Sequence, residues 1–187
     1  VKYGKDQMTT VLREAGSYKG QLYVATQGIS KTQTYVDLGL YYNMAWVEKL
    51  RVEDPAQMFV DGKWNYTGFK EWCLSTQALL DSSQNQYVVG GHPFWWWLGM
   101  TSAAGIKVCD PTAMEVNIDS QRSKDASNIM YQITAGGGFD PAYTWAETDG
   151  GFIAGTTVMS TGALWFLNNS SRWSNNMFGE DTRYGYV

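Results

Sequence analysis

The segment "QYVVGGHPFWWWLGM", residues 86–100, joins a short apolar strand directly to a helix. "QYVVGG" predicts a strand that ends at its two glycines. Pro93 then suits the first turn of a helix, where the amide N–H that proline lacks would have no partner, and Gly105 is placed to end that helix. A strand that leads into a helix within a few residues is typical of an α/β domain.

Three consecutive tryptophans, Trp95, Trp96 and Trp97, follow the proline. Each indole has about 150–250 Å² to bury. Neighbouring side chains on a helix fan out by about 100°, so no single face accepts all three. At least one of these indoles should therefore lack an ordinary core position.

Composition restricts the class of protein. The chain has 187 residues, 44% hydrophobic and 17% charged, with a net charge of −4 and a pI near 4.9. These values predict a single globular core, and the lack of a basic cluster argues against nucleic acid as a partner. Aromatic residues make up 15% of the chain, which favours recognition of a neutral, partly apolar ligand.

Helical and strand patterns alternate along the whole chain, which predicts an α/β domain with a mixed sheet. Asn65 and Ser123 are the expected N-caps of two helices, and Trp46, Trp64 and Trp72 lie on apolar stripes that face the core. The expected helices lie in "KDQMTTVLREAG" (5–16), "MAWVEKLRV" (44–52), "GKWNYTGFKEWCLSTQALL" (62–80), after its cap Asn65, and "SKDASNIMYQITAGGG" (123–138). The third has an apolar stripe of Phe69, Trp72, Cys73, Leu79 and Leu80. The expected strands are residues 21–26, "TYVDLGLYYN" (34–43), with Leu40 and Tyr42 toward the core, "GTTVMSTG" (155–162) and "RYGYV" (183–187).

No residue pattern indicates catalysis, a metal or a cofactor. Cys73 and Cys109 have no metal-binding spacing; we expect two buried free thiols, with one disulfide bridge as the alternative. His92 is the only histidine, and no partner accompanies it, so we expect it at the rim of a site as a hydrogen-bonding group. Glu147 and Asp149 lack the spacing of a calcium loop and predict a solvated face.

Four segments in order resemble the second lobe of the extracellular solute-binding proteins of bacterial ABC importers, especially the sugar-binding group. They are "GQLYVATQ" (20–27), "LGLYYNMAWVEKLRVEDP" (38–55), "GKWNYTGFKEW" (62–72) and "GGFIAGTTVMSTGALW" (150–165). The family's Lys-Tyr, "TWD" and Ala-Met are here Leu22-Tyr23, Asn65-Tyr66-Thr67 and Val158-Met159. The resemblance implies a three-layer lobe with a mixed sheet, of the periplasmic-binding-protein-like type II fold.

The resemblance also implies an organisation in which two lobes close on a ligand. Residues 1–19 would form an N-terminal helix and a segment near the hinge, and residues 20–187 a single lobe of a two-lobe protein. The expected partners are the missing lobe of the same chain and the membrane subunits of an importer. The expected location is extracellular or periplasmic, with a lipoprotein anchor in the full-length form.

In such proteins the second lobe contacts its ligand from three places: the strand before "YYN", the helix start after the "GG" strand, and the turn after "Met-x-x-Gly" (159–162). By position the resemblance implies Tyr35, Asp37, His92, Phe94, Trp95, Trp96, Leu164 and Trp165. We expect Trp95 and Trp96 to face the ligand and Trp97 to anchor the core. The expected ligand is a neutral carbohydrate, with an oligosaccharide preferred. Indoles would stack on the C–H faces of its rings, and Asp37 would accept hydrogen bonds from two of its hydroxyl groups.

Two other classes remain open from the sequence. A carbohydrate-active enzyme or a surface glycan-binding module could use the same aromatic residues, and an enzyme would need two carboxylates about 5–10 Å apart. An amino-acid or peptide receptor of the same fold would need a basic side chain to bind a carboxylate, and Lys31 is the nearby candidate.

Overall fold

A four-stranded mixed β-sheet organises the structure, a computed structural model that describes residues 10–23, 38–110, 113–142, 150–163, 166 and 183–187. Within these ranges the α-helices are α1 (Thr10–Ala15), α2 (Met44–Leu50), α3 (Pro55–Val60), α4 (Tyr66–Gln77), α5 (Pro93–Ala103), α6 (Gln121–Ala135) and α7 (Gly150–Ala154). The strands are β1 (Ser17–Tyr18), β2 (Gln21–Leu22), β3 (Gly39–Asn43), β4 (Tyr87–Gly90), β5 (Cys109–Asp110), β6 (Glu115–Val116), β7 (Thr157–Gly162) and β8 (Tyr184–Tyr186).

The sheet has the strand order β4-β7-β3-β8. β4 runs parallel to β7, whereas β3 is antiparallel to both β7 and β8. Two short antiparallel hairpins, β1–β2 and β5–β6, lie outside it. The predicted α/β class with a mixed sheet is therefore confirmed, as are the strands at 87–90, 157–162 and 184–186.

Side-chain caps begin five of the described helices, and the sequence predicted a cap for two of these helices. The amide oxygen of Asn65 accepts hydrogen bonds from two N–H groups at the start of α4, as predicted. The predicted cap of α6 was wrong, because the helix begins three residues earlier, at the cap Ser120. Ser123 lies buried in the first turn, and its backbone N–H donates to the hydroxyl of Ser120 at 3.3 Å.

Apolar side chains cover both faces of the sheet. Tyr41 and Tyr42 are neighbours on β3, so they point to opposite faces, and both are almost completely buried. Tyr42 joins the large cluster formed with α2 to α6, whereas Tyr41 packs with Phe152 of α7 and with Phe166. This arrangement gives three layers, with the sheet in the middle.

Buried tryptophans hold the large cluster together through both their rings and their indole N–H groups. A buried indole N–H needs an acceptor, and each of three buried tryptophans finds a backbone carbonyl. The pairs are Trp46 Nε1 to Gly155 O at 2.6 Å, Trp72 Nε1 to Glu53 O at 2.8 Å, and Trp96 Nε1 to Gly90 O at 2.6 Å. The predicted core positions of Trp46 and Trp72 are confirmed, and Trp64 packs against the same cluster.

Two sequence predictions of burial were wrong. Leu79 is 56% exposed, because α4 ends at Gln77 and the chain leaves the helical stripe before that residue. Cys109 is exposed, since the β5–β6 hairpin places it opposite Val116 on a surface ribbon. Cys73 is fully buried as expected, both thiols are free, and burial raises the pKa of Cys73.

Candidate functional site

One edge of the sheet holds the turn between β4 and α5 that the sequence singled out. β4 and β7 are parallel, so their carboxyl ends meet there, and Gly39 at the start of β3 lies opposite Gly162 at the end of β7. The end of β8 arrives at the same edge, where Val187 and Leu40 exchange two backbone hydrogen bonds. Ligands of open α/β sheets bind beyond the carboxyl ends of the strands. We call this region the carboxyl edge: residues 38–39, 90–95, 139–142, 162–163 and Val187.

The segment 139–142 extends this edge beyond β4. Phe139 forms a parallel bridge with Val89, and the N–H of Asp140 donates to the carbonyl of Val89 at 2.9 Å. The Asp140 carboxylate, 5% exposed, accepts hydrogen bonds from the Thr157 hydroxyl at 3.1 Å and from the Ala142 N–H at 2.8 Å. Its hydrogen bonds therefore orient the backbone of the segment.

A tight turn connects β4 to α5 at the carboxyl edge. Gly91 has φ +96°, and a Cβ there would lie 3.0 Å from Ser160 Oγ and 3.4 Å from Thr161 Oγ1. His92 follows as the N-cap, and its Nδ1 accepts a hydrogen bond from the Phe94 N–H at 3.1 Å. A neutral imidazole that accepts at Nδ1 carries its proton on Nε2. His92 is partly buried, so the expected place at the rim of a site is consistent with the geometry.

The burial of the three consecutive tryptophans differs from the prediction. Trp96 is 2% exposed, and its ring stacks on Phe69 with centroids 5.9 Å apart. Side chains on a helix lean toward its N-terminus, so the Trp96 indole extends back beneath the turn to the Gly90 carbonyl. Trp97 is only partly buried. The assignment of Trp97 to the core and Trp96 to the ligand side was therefore wrong: Trp96 is the core residue.

Phe94 and Trp95 present aromatic surface at the start of α5. Phe94 is 48% exposed, and Trp95 is partly buried. The Phe94 ring lies between the two outer indoles, with centroid distances of 5.3 Å to Trp95 and 6.0 Å to Trp97. Of the four site residues predicted on this turn, His92, Phe94 and Trp95 have surface available for a ligand. Trp96 is buried in the core and holds the turn through its hydrogen bond to the Gly90 carbonyl.

Two apolar cavities flank α5, and Trp96 and Met100 line both. The first has a volume of about 410 Å³ and opens between α5, the start of β3 and the start of α4. The second, about 400 Å³, lies between α5 and α6. The wall residues of the first cavity, among them Leu38, Tyr66 and Thr161, were not predicted from the sequence. The helical spacing of Trp96, Met100 and Ala103 was the available signal.

Tyr66 closes one wall of the first cavity. Its hydroxyl donates a hydrogen bond to the Met100 carbonyl at 2.5 Å, which ties the start of α4 to α5. Burial raises the pKa of Tyr66, and the nearby Arg122 partly offsets this effect. The phenol therefore remains a neutral donor at physiological pH.

Several predicted site residues lie outside the described part of the chain: Tyr35, Asp37, Leu164 and Trp165, together with Lys31, Glu147 and Asp149. Within the described ranges no group of three His, Cys, Asp or Glu side chains could hold a metal ion. None of the helices in those ranges is both long and apolar enough to cross a membrane.

Comparison with known proteins identifies the fold. No protein-family model and no curated protein sequence matches the chain. Among solved structures it is similar to an ABC substrate-binding protein from Listeria monocytogenes in complex with cycloalternan (TM-score 0.60, 13% identity, 99% of this chain and 43% of that one). It is also similar to UgpB from Mycobacterium tuberculosis in complex with glycerophosphocholine (0.61, 15%, 97% and 41%). A third is the galacto-N-biose-/lacto-N-biose I-binding protein of the ABC transporter from Bifidobacterium longum, in complex with lacto-N-biose (0.59, 16%, 98% and 42%).

These matches show that the chain has the fold of substrate-binding proteins of ABC transporters. The chain spans less than half the length of each.

Proposed function

We propose that this chain is one lobe of a solute-binding protein that captures a neutral carbohydrate for an ABC importer. The observation that carries the proposal is the aromatic surface of Phe94 and Trp95 beside the His92 cap, at the edge where this fold exposes the ends of its strands. Two of the similar proteins are complexes with saccharides, cycloalternan and lacto-N-biose. The matching fold and the partial coverage support a lobe of a longer, two-lobe protein.

The carboxyl edge has the two chemical properties that carbohydrate binding needs. Exposed aromatic faces pack against the apolar C–H faces of sugar rings, and a few polar groups then fix the orientation of the hydroxyls. Phe94 and Trp95 supply the first property, and His92 is placed to supply the second. Tyr35, Asp37, Leu164 and Trp165 complete the proposed contacts. A partner lobe would close over this edge by a hinge motion.

The charges at the edge favour a binding role over the alternatives. Among its described residues the one side-chain carboxylate is Asp140, which is buried and already accepts two hydrogen bonds. A glycosidase needs a pair of carboxylates across the scissile bond. The described part of the edge also holds no Lys or Arg that could bind the carboxylate of an amino acid. Both observations favour a neutral ligand that is released without chemical change.

The proposal includes the surroundings of such a receptor. Binding would take place outside the cytoplasmic membrane of a bacterium, in the periplasm or at the cell surface with a lipoprotein anchor. The membrane subunits of the importer would receive the closed, loaded protein. The chain itself would make and break no covalent bond, and it would need no cofactor.

Calorimetric titration of the chain with mono- and oligosaccharides tests the proposal, with free amino acids as the competing ligand class. We expect binding in the millimolar range, because one lobe offers only part of the contacts of a closed cleft. Trp95→Ala and Phe94→Ala should each weaken it by about 3- to 10-fold. Phe59→Ala, at a 65% exposed ring on α3, is the matched control. Binding of amino acids with no response to any sugar would refute the carbohydrate proposal.

A further inference from the structure

The second cavity is an open groove between α5 and α6 that the carbohydrate proposal has not used. The two helices are antiparallel: Arg122 at the start of α6 donates to the Ala104 carbonyl at the end of α5, and Pro93 and Thr134 both line the groove at the other end. The groove has a volume of about 400 Å³, within the range of about 300–1,000 Å³ that is usual for ligand sites.

Aromatic rings connect this groove to the carboxyl edge without a break. Phe94 contacts Trp95 on the side of the edge and Trp97 on the side of the groove. Pro93, the first residue of α5, lines the groove, and so does Pro141 of the edge. A ligand that rests on Trp95 can therefore continue over Phe94 into the groove and stay on aromatic surface.

The side chains of the groove suit a neutral sugar ring. None of the described residues that line it carries a charge. Tyr131 on one wall is 70% exposed, so its ring has surface available for a ligand. Ser127 and Thr134 line the same wall. The Thr134 hydroxyl donates to the Met130 carbonyl at 2.8 Å and can still accept a hydrogen bond from a ligand. Flat apolar faces with hydroxyl groups beside them are the combination that carbohydrate recognition uses.

We propose that the groove between α5 and α6 is an outer subsite for the part of a carbohydrate chain that extends beyond the carboxyl edge. The inference rests on the proposed function and specifies its substrate class: a linear oligosaccharide of several units, which binds by its end at the edge and along its length in the groove. Trp97 and Tyr131 are the aromatic contacts of this subsite.

The test compares ligand length with groove variants. Malto-, cello- and xylo-oligosaccharides of two to six units are titrated into the chain by calorimetry. For the series that binds, affinity should rise with length by about tenfold, the factor that roughly 1.4 kcal/mol produces. Tyr131→Ala should remove this gain and leave disaccharide affinity unchanged, whereas Tyr131→Phe, which keeps the ring, and Phe59→Ala should retain it.

The outcomes separate the subsite from the function. If the disaccharide binds and the gain with length is absent, or persists in Tyr131→Ala and Trp97→Ala, the groove is not a sugar subsite and the proposed function stands. If no saccharide of any length binds, both proposals fail. Sedimentation of the same variants by analytical ultracentrifugation is a further test. If the chain forms a dimer that Tyr131→Ala dissociates, the groove binds a second copy of the chain and the subsite proposal is overturned.

Discussion

Replacement of Trp96 by alanine should destabilise the chain far more than replacement of either neighbouring tryptophan. Removal of a buried tryptophan costs about 3–5 kcal/mol through lost burial and the cavity that remains. Trp96 is 2% exposed and also donates to the Gly90 carbonyl, and a buried carbonyl left without a partner costs roughly 1–3 kcal/mol more. The sum of about 4–8 kcal/mol is comparable with the whole stability of an ordinary domain, about 5–15 kcal/mol.

Trp96→Phe separates the two contributions. The phenyl ring can keep the stack on Phe69 but cannot donate a hydrogen bond, so we expect a loss of about 1–3 kcal/mol. In a domain of this size that loss lowers Tm by roughly 2–12 °C, at about 2–4 °C per kcal/mol. Trp97→Ala, at a partly buried position, should cost about half as much as Trp96→Ala.

Thermal and urea unfolding of the four proteins, followed by near-ultraviolet circular dichroism, measures the order of stability. The expected order is wild type, Trp96→Phe, Trp97→Ala and Trp96→Ala, with the first two variants close together. If Trp97→Ala proved as destabilising as Trp96→Ala, the division of the triplet between core and surface would be refuted.

Three more predictions address pH, backbone and thiols. Burial raises the pKa of Tyr42, and so does the hydrogen bond that its hydroxyl donates to Asp54. The folded state therefore keeps this proton longer than the unfolded state, and the free energy of unfolding falls above pH about 10 by up to about 1.4 kcal/mol per pH unit. Tyr42→Phe should reduce this alkaline loss of stability in urea unfolding measured over a series of pH values. Gly91→Ala should lower the free energy of unfolding by about 1–3 kcal/mol because of the positive φ, and further because the new Cβ would contact a neighbouring hydroxyl. This loss of stability should be larger than that of Gly105→Ala, where φ is +68° and the space is open. A thiol reagent should label Cys109 at once and Cys73 only on unfolding; immediate labelling of both would contradict the burial of α4.

Local patterns predicted the strand and helix succession because each signal depends on neighbours in the sequence. The proline after the two glycines marked the start of α5, and Asn65 marked the start of α4. Ser123 was misassigned for the same reason, since it and Ser120 are both good caps and only tertiary packing decides that Ser123 is buried.

The candidate site was harder to predict because it depends on contacts between distant segments. Helical spacing alone could not separate Trp96 from Trp97: the choice follows from the position of the Gly90 carbonyl and the Phe69 ring. Likewise, the wall that Tyr66 forms with Met100 joins residues that are 34 positions apart. The resemblance to solute-binding proteins pointed to the turn before α5 as a ligand contact, and the structure shows which side chains of that turn have free surface.

The strand order has a consequence for how the chain acquires its fold. In the described sheet β3 and β4 do not pair with each other, and each takes β7 as a neighbour. β7 begins at Thr157, more than 100 residues after β3 ends. Such long-range pairing slows folding, because loop-closure entropy is lost before any contact compensates it. During synthesis β3 and β4 are therefore made well before the strand that both pair with. A chaperone that shields these apolar strands should raise the yield of folded protein.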